Sequence, residues 1–170
     1  MDASLTNRVR GPGAGSDGQI IGARWSQGRW PGKGALEFRG RGQRVLLRLP
    51  GAHESLTLLA WVRVDALPQA VSALLMTEEP QRWEAGEEKK PQVPASLDEP
   101  GGRPLRWELK SNGQFGFSLL RGTVPGKPQW DAHLAPALLT PERHGQWLCL
   151  ATVHDSARGE LLHFINGVAV

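Results

Sequence analysis

The stretch from Arg143 to Val170, RHGQWLCLATVHDSARGELLHFINGVAV, decides the fold. Trp147, Cys149, Ala151 and Val153 alternate with Gln146, Leu148, Leu150, Thr152 and His154, the period of two that an extended chain imposes on its side chains. Both sets are largely apolar, which predicts a strand in the interior of a sheet with neither face simply wet. The polar run DSARGE interrupts it. Leu161, His163 and Ile165 then alternate with Leu162 and Phe164 in a second strand, and Asn166-Gly167 can supply the positive φ of a tight hairpin turn before Val168. Cys149, the single cysteine, cannot form an intrachain disulfide and is expected to pack as a small buried hydrophobe.

Outward from this end, LRWELK, SNG and QFGFSLL read as a hairpin, with Leu105, Trp107 and Leu109 opposed to Arg106, Glu108 and Lys110 and with Asn112-Gly113 at the turn. SLTLLAWVRVD places Leu56, Leu58, Ala60, Val62 and Val64 on one face and Thr57, Leu59, Trp61 and Arg63 on the other, and is expected to be a central strand. Val71 to Met76 is a further short strand. Residues Ala35–Arg39 and Arg44–Leu49 alternate on either side of GRG and predict a hairpin. Trp61, Trp107 and Trp147 stand at strand positions and are expected in the core, because an indole is a large apolar surface. Residues 1–18 are polar and glycine-rich and read as a flexible lead-in. Residues 77–104 are charged and proline-rich and read as a long surface insertion, and residues 121–145, with four prolines, as a mostly irregular connection.

Three of these stretches resemble the laminin-G-like domains of the concanavalin A-type jelly-roll family. The terminal run carries Gly145, Trp147, Leu150, Ala151, Val153 and Asp155, and after the turn Leu162, Phe164, Ile165, Asn166 and Gly167, in the order G-x-W-x-x-[LA]-A-x-V-x-D then L-x-[FY]-[VI]-N-G. GRWPGKGALEFRGRGQRVLLRLP is similar to the family's opening strand, and SLTLLAWVRVD to its S-x-T-[VL]-x-[AF]-W-V-[RK] strand. The resemblance implies an all-β, two-sheet antiparallel jelly-roll sandwich forming a single domain over residues 19–170. It also implies closing strands beyond Asn-Gly, which the sequence given lacks after Val170, so an open edge is expected at Leu161–Ile165 or at the strand beside it. Domains of this family are modules of larger exported or membrane-anchored proteins, so an extracytoplasmic location is expected.

Composition narrows the function. Twenty Lys and Arg stand against 17 Asp and Glu, and the basic residues are scattered among acidic ones, so no stripe suited to nucleic acid emerges. There is no run of about 18 apolar residues for a membrane span and no signal-peptide pattern. The fold's glycoside hydrolases carry E-x-D-x-x-E on one strand face. Here Glu108 stands alone and Asp98-Glu99 adjoins Pro100, whereas both hydrolytic mechanisms need two placed carboxyl groups. No G-x-S-x-G elbow occurs. His144, His154 and His163 do not have the spacing of a zinc site and are expected to be structural or surface histidines. Relatives that bind calcium at the rim place Asp or Asn where this chain has Gln43 or Arg44, which argues against calcium and leaves no cofactor expected.

The expected function is therefore a non-catalytic binding or interaction module with carbohydrate as ligand class and a protein partner as the alternative within binding. A glycoside hydrolase or a structural spacer are the competing readings. The candidate contact residues are Trp83 and Trp130 with Arg82, Gln129 and Asp131, since an exposed indole offers a flat apolar platform with a donor on its edge and polar neighbours can fix a sugar's hydroxyls. The alternative role for those indoles is to pin loops to the sandwich.

Overall fold

In the computed structural model, the described residues are 4–8, 17–48, 53–77, 104–124 and 127–170. They divide into two compact units, Met1–Ala52 and His53–Val170, where the sequence reading draws one domain from residue 19 onward. The chain is all-β: thirteen strands and one turn of 3₁₀ helix, Pro141–Arg143, are described. Among the described residues no helix is long and apolar enough to cross a membrane.

The first unit holds β1 (Ser4–Leu5), β2 (Gly18–Ile21), β3 (Arg24–Gln27), β4 (Gly34–Glu37) and β5 (Arg44–Leu46). The lead-in read as flexible thus contributes a short strand: Ser4 pairs with Gln19 and Leu5 with Gly18, and Asn7 N–H donates to Asp17 Oδ1 at 2.7 Å. The expected hairpin between 35–39 and 44–49 does not form. Instead β4 pairs with β3 and β5 with β2, both antiparallel. In the GRG turn between them, the Gln43 side chain accepts from the backbone N–H groups of Arg39 at 2.6 Å and Gly40 at 3.1 Å. A side chain that takes those donors offers the backbone an alternative to a ladder.

The second unit is a sandwich of two four-stranded antiparallel sheets. One contains β6 (Ser55–Arg63), β11 (Trp147–Asp155), β12 (Glu160–Ile165) and β13 (Val168–Ala169) in the order β13-β12-β11-β6; the other contains β7 (Val71–Met76), β8 (Leu105–Lys110), β9 (Phe115–Val124) and β10 (Lys127–Leu134) in the order β10-β9-β8-β7. The interior strand expected from the terminal stretch is β11, paired on one side with β6 (Leu150 opposite Ala60) and on the other with β12 (Leu150 opposite Ile165). Asn166 (φ 53°) and Gly167 (φ 83°) make the turn into β13, which pairs over Phe164–Ile165. The Val170 N–H adds a bond to His163 O at 2.9 Å. Pairing thus covers only the C-terminal part of the edge expected to be open.

SLTLLAWVRVD forms β6 at the end of its sheet rather than at its centre. The proline-rich 121–145 connection contains an eight-residue strand, β10, which also ends its sheet, the position where a residue without an N–H is tolerated. Trp61 and Trp147 are not in the core. On β6 the core-facing set is Leu56, Leu58, Ala60 and Val62, so alternation turns Trp61 outward; on β11 it is Leu148, Leu150 and Thr152, so Trp147 and Cys149 also face out and are half-buried. Trp147 has the Arg63 guanidinium 5.8 Å from its ring centroid. That outer face is strongly apolar, and Leu59 is 63 % exposed there and Leu162 47 %.

Between the sheets lie Trp107, Leu109, Phe115, Phe117, Leu148, Leu150 and Ile165, with Leu139 from the connection before β11. Phe115, Phe117 and Leu150 have no exposed surface, and each such side chain contributes about 1.5–3 kcal/mol relative to remaining in water. Thr152 and His163 are the buried polar residues of that layer, joined at 2.8 Å, and Trp107 Nε1 donates to Thr152 Oγ1 at 2.9 Å. The sequence period put His163 on the inner face of β12; the hydroxyl of Thr152 opposite it makes that burial affordable.

Candidate functional site

At one end of the sandwich β6 begins, β11 ends, β8 begins and β9 runs past, and the two sheets part to leave a cleft of about 370 Å³. Its apolar lining is Leu56, Leu105 and Leu119, side chains that elsewhere along their strands would be core. Its polar lining comes from the strand ends: His53 and Glu54 before β6, His154 at the end of β11, and Ser156 in the turn that follows. The register brings these together, because His154 pairs with Leu56 and Asp155 with Ser55.

Two features give the lip a fixed shape. His154 presents a ring stacked on Phe117, with centroids 5.5 Å apart and planes at 26°. Asp155 organises the turn. Its Oδ1 accepts from the N–H of Ala157 at 3.1 Å and of Arg158 at 3.3 Å and from Ser55 Oγ at 3.3 Å, while Oδ2 lies 3.8 Å from Arg158 Nε. Asp155 therefore positions Ser156 and ties the start of β6 to the end of β11, its acceptors already engaged.

The expected contact residues are only partly brought together. Arg82 and Trp83 lie outside the described residues. Gln129, Trp130 and Asp131 are consecutive in β10, so alternation sends Trp130 to one face and its two neighbours to the other. Trp130 pairs with Leu120 on the face turned away from the core, and the Arg106 guanidinium stacks 4.0 Å from its ring centroid. Asp131 pairs with Leu119, which lines the cleft, and lies 3.7 Å from Arg121. Arg121 is the extra residue of a β-bulge, unopposed where Leu120 and Gly122 face Trp130 and Gln129. Gln129 is exposed. Asp131 is thus at the flank of the cleft, and Trp130 belongs to a separate surface.

Chemically, the cleft offers an apolar floor, two imidazoles, one carboxylate and one hydroxyl, a set suited to hydrogen bonding of a polar ligand over a leucine base. Glu54 is the one carboxylate among its lining residues. Glu108 is buried in β8 on the face away from the core, opposite Gly116 and 4.0 Å from Lys110 Nζ. Among the described residues no group of three or more His, Cys, Asp or Glu is arranged to hold a metal. Gln43, at the position considered for calcium, uses its oxygen in the turn, and Arg44 donates to Gly42 O at 3.0 Å.

Sequence reasoning passed over His53, Glu54 and Ser156. They flank strands rather than belong to them, and only the β6–β11 register places them side by side. Comparison with protein-family models, with curated proteins and with solved structures finds no match to this chain.

Proposed function

We propose that this chain is a non-catalytic binding module with carbohydrate as its ligand class, seated in the cleft at the end of the second unit. The observation that supports this reading most directly is the cleft itself: about 370 Å³ of space floored by leucines, with the His154 ring held flat against Phe117 and hydrogen-bonding side chains around it. A sugar presents the complementary surface, an apolar ring face ringed by hydroxyl groups. The volume falls at the small end of ligand pockets, about 300–1,000 Å³, which favours recognition of a single residue or a chain end. The resemblance to laminin-G-like domains supports the same class, and with it the jelly-roll wiring and an extracytoplasmic place in a larger protein.

The test is a glycan array followed by titration of the best binder, beside an assay on generic glycosides. His154→Ala and Glu54→Gln are each expected to weaken binding by about tenfold, the equivalent of one or two lost hydrogen bonds. Trp130→Ala, on the other surface, is expected to leave the affinity within about twofold. Loss of binding in Trp130→Ala with the fold intact would move the site to the Arg106-backed indole, and turnover that disappears in Glu108→Gln would replace the module by a hydrolase. An array with no binder would leave the protein-partner alternative in place of carbohydrate.

A further inference from the structure

The polar groups buried between the sheets form one continuous chain. Trp107 Nε1–H on β8 donates to Thr152 Oγ1 on β11 at 2.9 Å, Thr152 Oγ1 stands 2.8 Å from His163 Nδ1 on β12, and His163 Nε2 stands 3.0 Å from the carbonyl oxygen of His133 on β10. The chain starts on one sheet, passes through two strands of the other, and returns to the first. Its ends fix every proton in between, because an indole N–H can only donate and a carbonyl can only accept. Thr152 therefore accepts from Trp107 and donates its own hydrogen to Nδ1, and His163 donates Nε2–H to His133. All four polar groups are satisfied only when His163 is neutral with its proton on Nε2.

We propose that this relay is an acid-operated latch, in which neutral His163 holds β10 and β12 together across the sandwich and a proton added to Nδ1 opens that side of the molecule. The added proton turns Nδ1 from acceptor to donor. Thr152 Oγ1 then faces two donors, Trp107 and His163, and its own hydrogen loses the acceptor it had, in a side chain with no exposed surface. A stranded buried donor beside a buried cation is costly, and the way out is for the imidazole to reach water. The shortest route passes exposed His133, because β10 ends its sheet and β12 is followed only by the two-residue β13.

The surroundings of His163 offer the cation little compensation. On β9 it meets the uncharged ring of Phe115 in a T-shaped contact, ring centroids 4.9 Å apart. On β11 the titratable neighbours of Thr152 are His154, on the same face, and Asp155, engaged in its turn. On β10 they are His133 itself and Asp131, two residues earlier and facing Arg121. On β8, Glu108 and Lys110 project from the opposite face to Trp107, and on β12 Glu160 stands three residues away at the strand's exposed start. Burial pushes the His163 pKa below the ordinary imidazole value of 6.5; the bond to the His133 carbonyl works against this, and the His133 charge works with it. The sign follows: the relay's stability is complete above 6.5 and is lost as pH falls through the lower value of the folded state.

The latch also bears on the cleft, a consequence that rests on the binding reading above, whereas the latch itself does not. Phe117 pairs with Trp107 on one side and with His133 on the other, the two strands that end the relay, and its ring backs His154. Opening at β10 would loosen the ring that shapes the lip.

The test needs no ligand. Imidazole ¹⁵N shifts of the whole chain at pH 7.5 are expected to show His163 as the Nε2–H tautomer, and its titration to fall below that of an exposed histidine. Hydrogen exchange, corrected for intrinsic rates, is expected to show β10 amides losing protection about tenfold more than β7 amides as pH falls through that titration, since β7 lies at the far end of the same sheet. Thr152→Val, which severs the relay, is expected to abolish that pH-dependent difference. An Nδ1–H tautomer, an ordinary titration, equal loss in β7 and β10, or a difference that survives in Thr152→Val would each overturn the latch. If Thr152→Val does not fold, the wild-type tautomer and the β10-to-β7 comparison still decide.

Discussion

Phe117→Ala is expected to lower the unfolding free energy by about 3–5 kcal/mol, the range for truncating an aromatic ring in a packed core. Phe117 has no exposed surface, sits on β9 in the interior of its sheet, and stacks across the sandwich on the His154 ring, centroids 5.5 Å apart. Its neighbours are held on both sides by ladder pairing, with Trp107 on β8 and His133 on β10, so the space left cannot be closed by sliding one side chain. Urea unfolding measures the effect as a lower midpoint at unchanged slope. Leu162→Ala, on the outer face at 47 % exposure, serves as the control and is expected to lose less than about 1 kcal/mol. A loss below about 1.5 kcal/mol in Phe117→Ala would mean that the sheets do not close over this ring. Because His154 rests on the same ring, the variant is also expected to weaken ligand binding by more than Trp130→Ala does.

The parts of the fold that the sequence made legible are those whose signals are local. The alternation of Leu148, Leu150 and Thr152 against Trp147, Cys149 and Ala151 survives into the structure as inner and outer faces of β11, and Asn112-Gly113 and Asn166-Gly167 both make hairpin turns. What was not legible is which strand pairs with which. Alternation in 35–39 and 44–49 is the same whether the two pair with each other or with β3 and β2, as they do. Apolar residues on both faces of SLTLLAWVRVD suggested a central strand, yet β6 ends its sheet with Leu59 largely exposed. The prolines between 121 and 145 argued for loop, but Pro128 falls in a strand with only one ladder to satisfy.

The site was less legible for a related reason. Adjacency in sequence suggested that Gln129, Trp130 and Asp131 act together, but in a strand adjacent residues face apart, and β10 had not been read as a strand. The cleft residues come from the ends of strands about a hundred positions apart, as His53 and Ser156 do, so nothing in either local pattern announces the other. His154 was the visible member: its place on the apolar face of β11, at the strand's end, is where an inner face meets water.

Gly113→Val is the second substitution expected to have a large effect, and two separate penalties act at that position. Gly113 has φ +82°, a conformation that costs an L-residue about 1–2 kcal/mol and suits a β-branched one least. A Cβ added there would also stand 2.8 Å from the Leu139 carbonyl oxygen and 3.1 Å from its carbon, backbone atoms that cannot swing aside as a side chain would. Those atoms are held in place: Leu139 N–H donates to Gly113 O at 2.9 Å, Gly113 N–H donates to Lys110 O at 2.9 Å, and the Leu139 side chain is buried in the core. Relief would require the β8–β9 turn to separate from the segment before β11, adding about 1–3 kcal/mol of overpacking. Together the two penalties take a large part of a total stability on the order of 5–15 kcal/mol. Gly167→Ala separates them, because Gly167 has φ +83° but nothing within 4 Å of its added Cβ. It is expected to lose only the backbone part, about 1 kcal/mol. Measured by the same urea unfolding, Gly113→Ala should therefore lose clearly more than Gly167→Ala, and equal losses would show that the turn does not rest against Leu139.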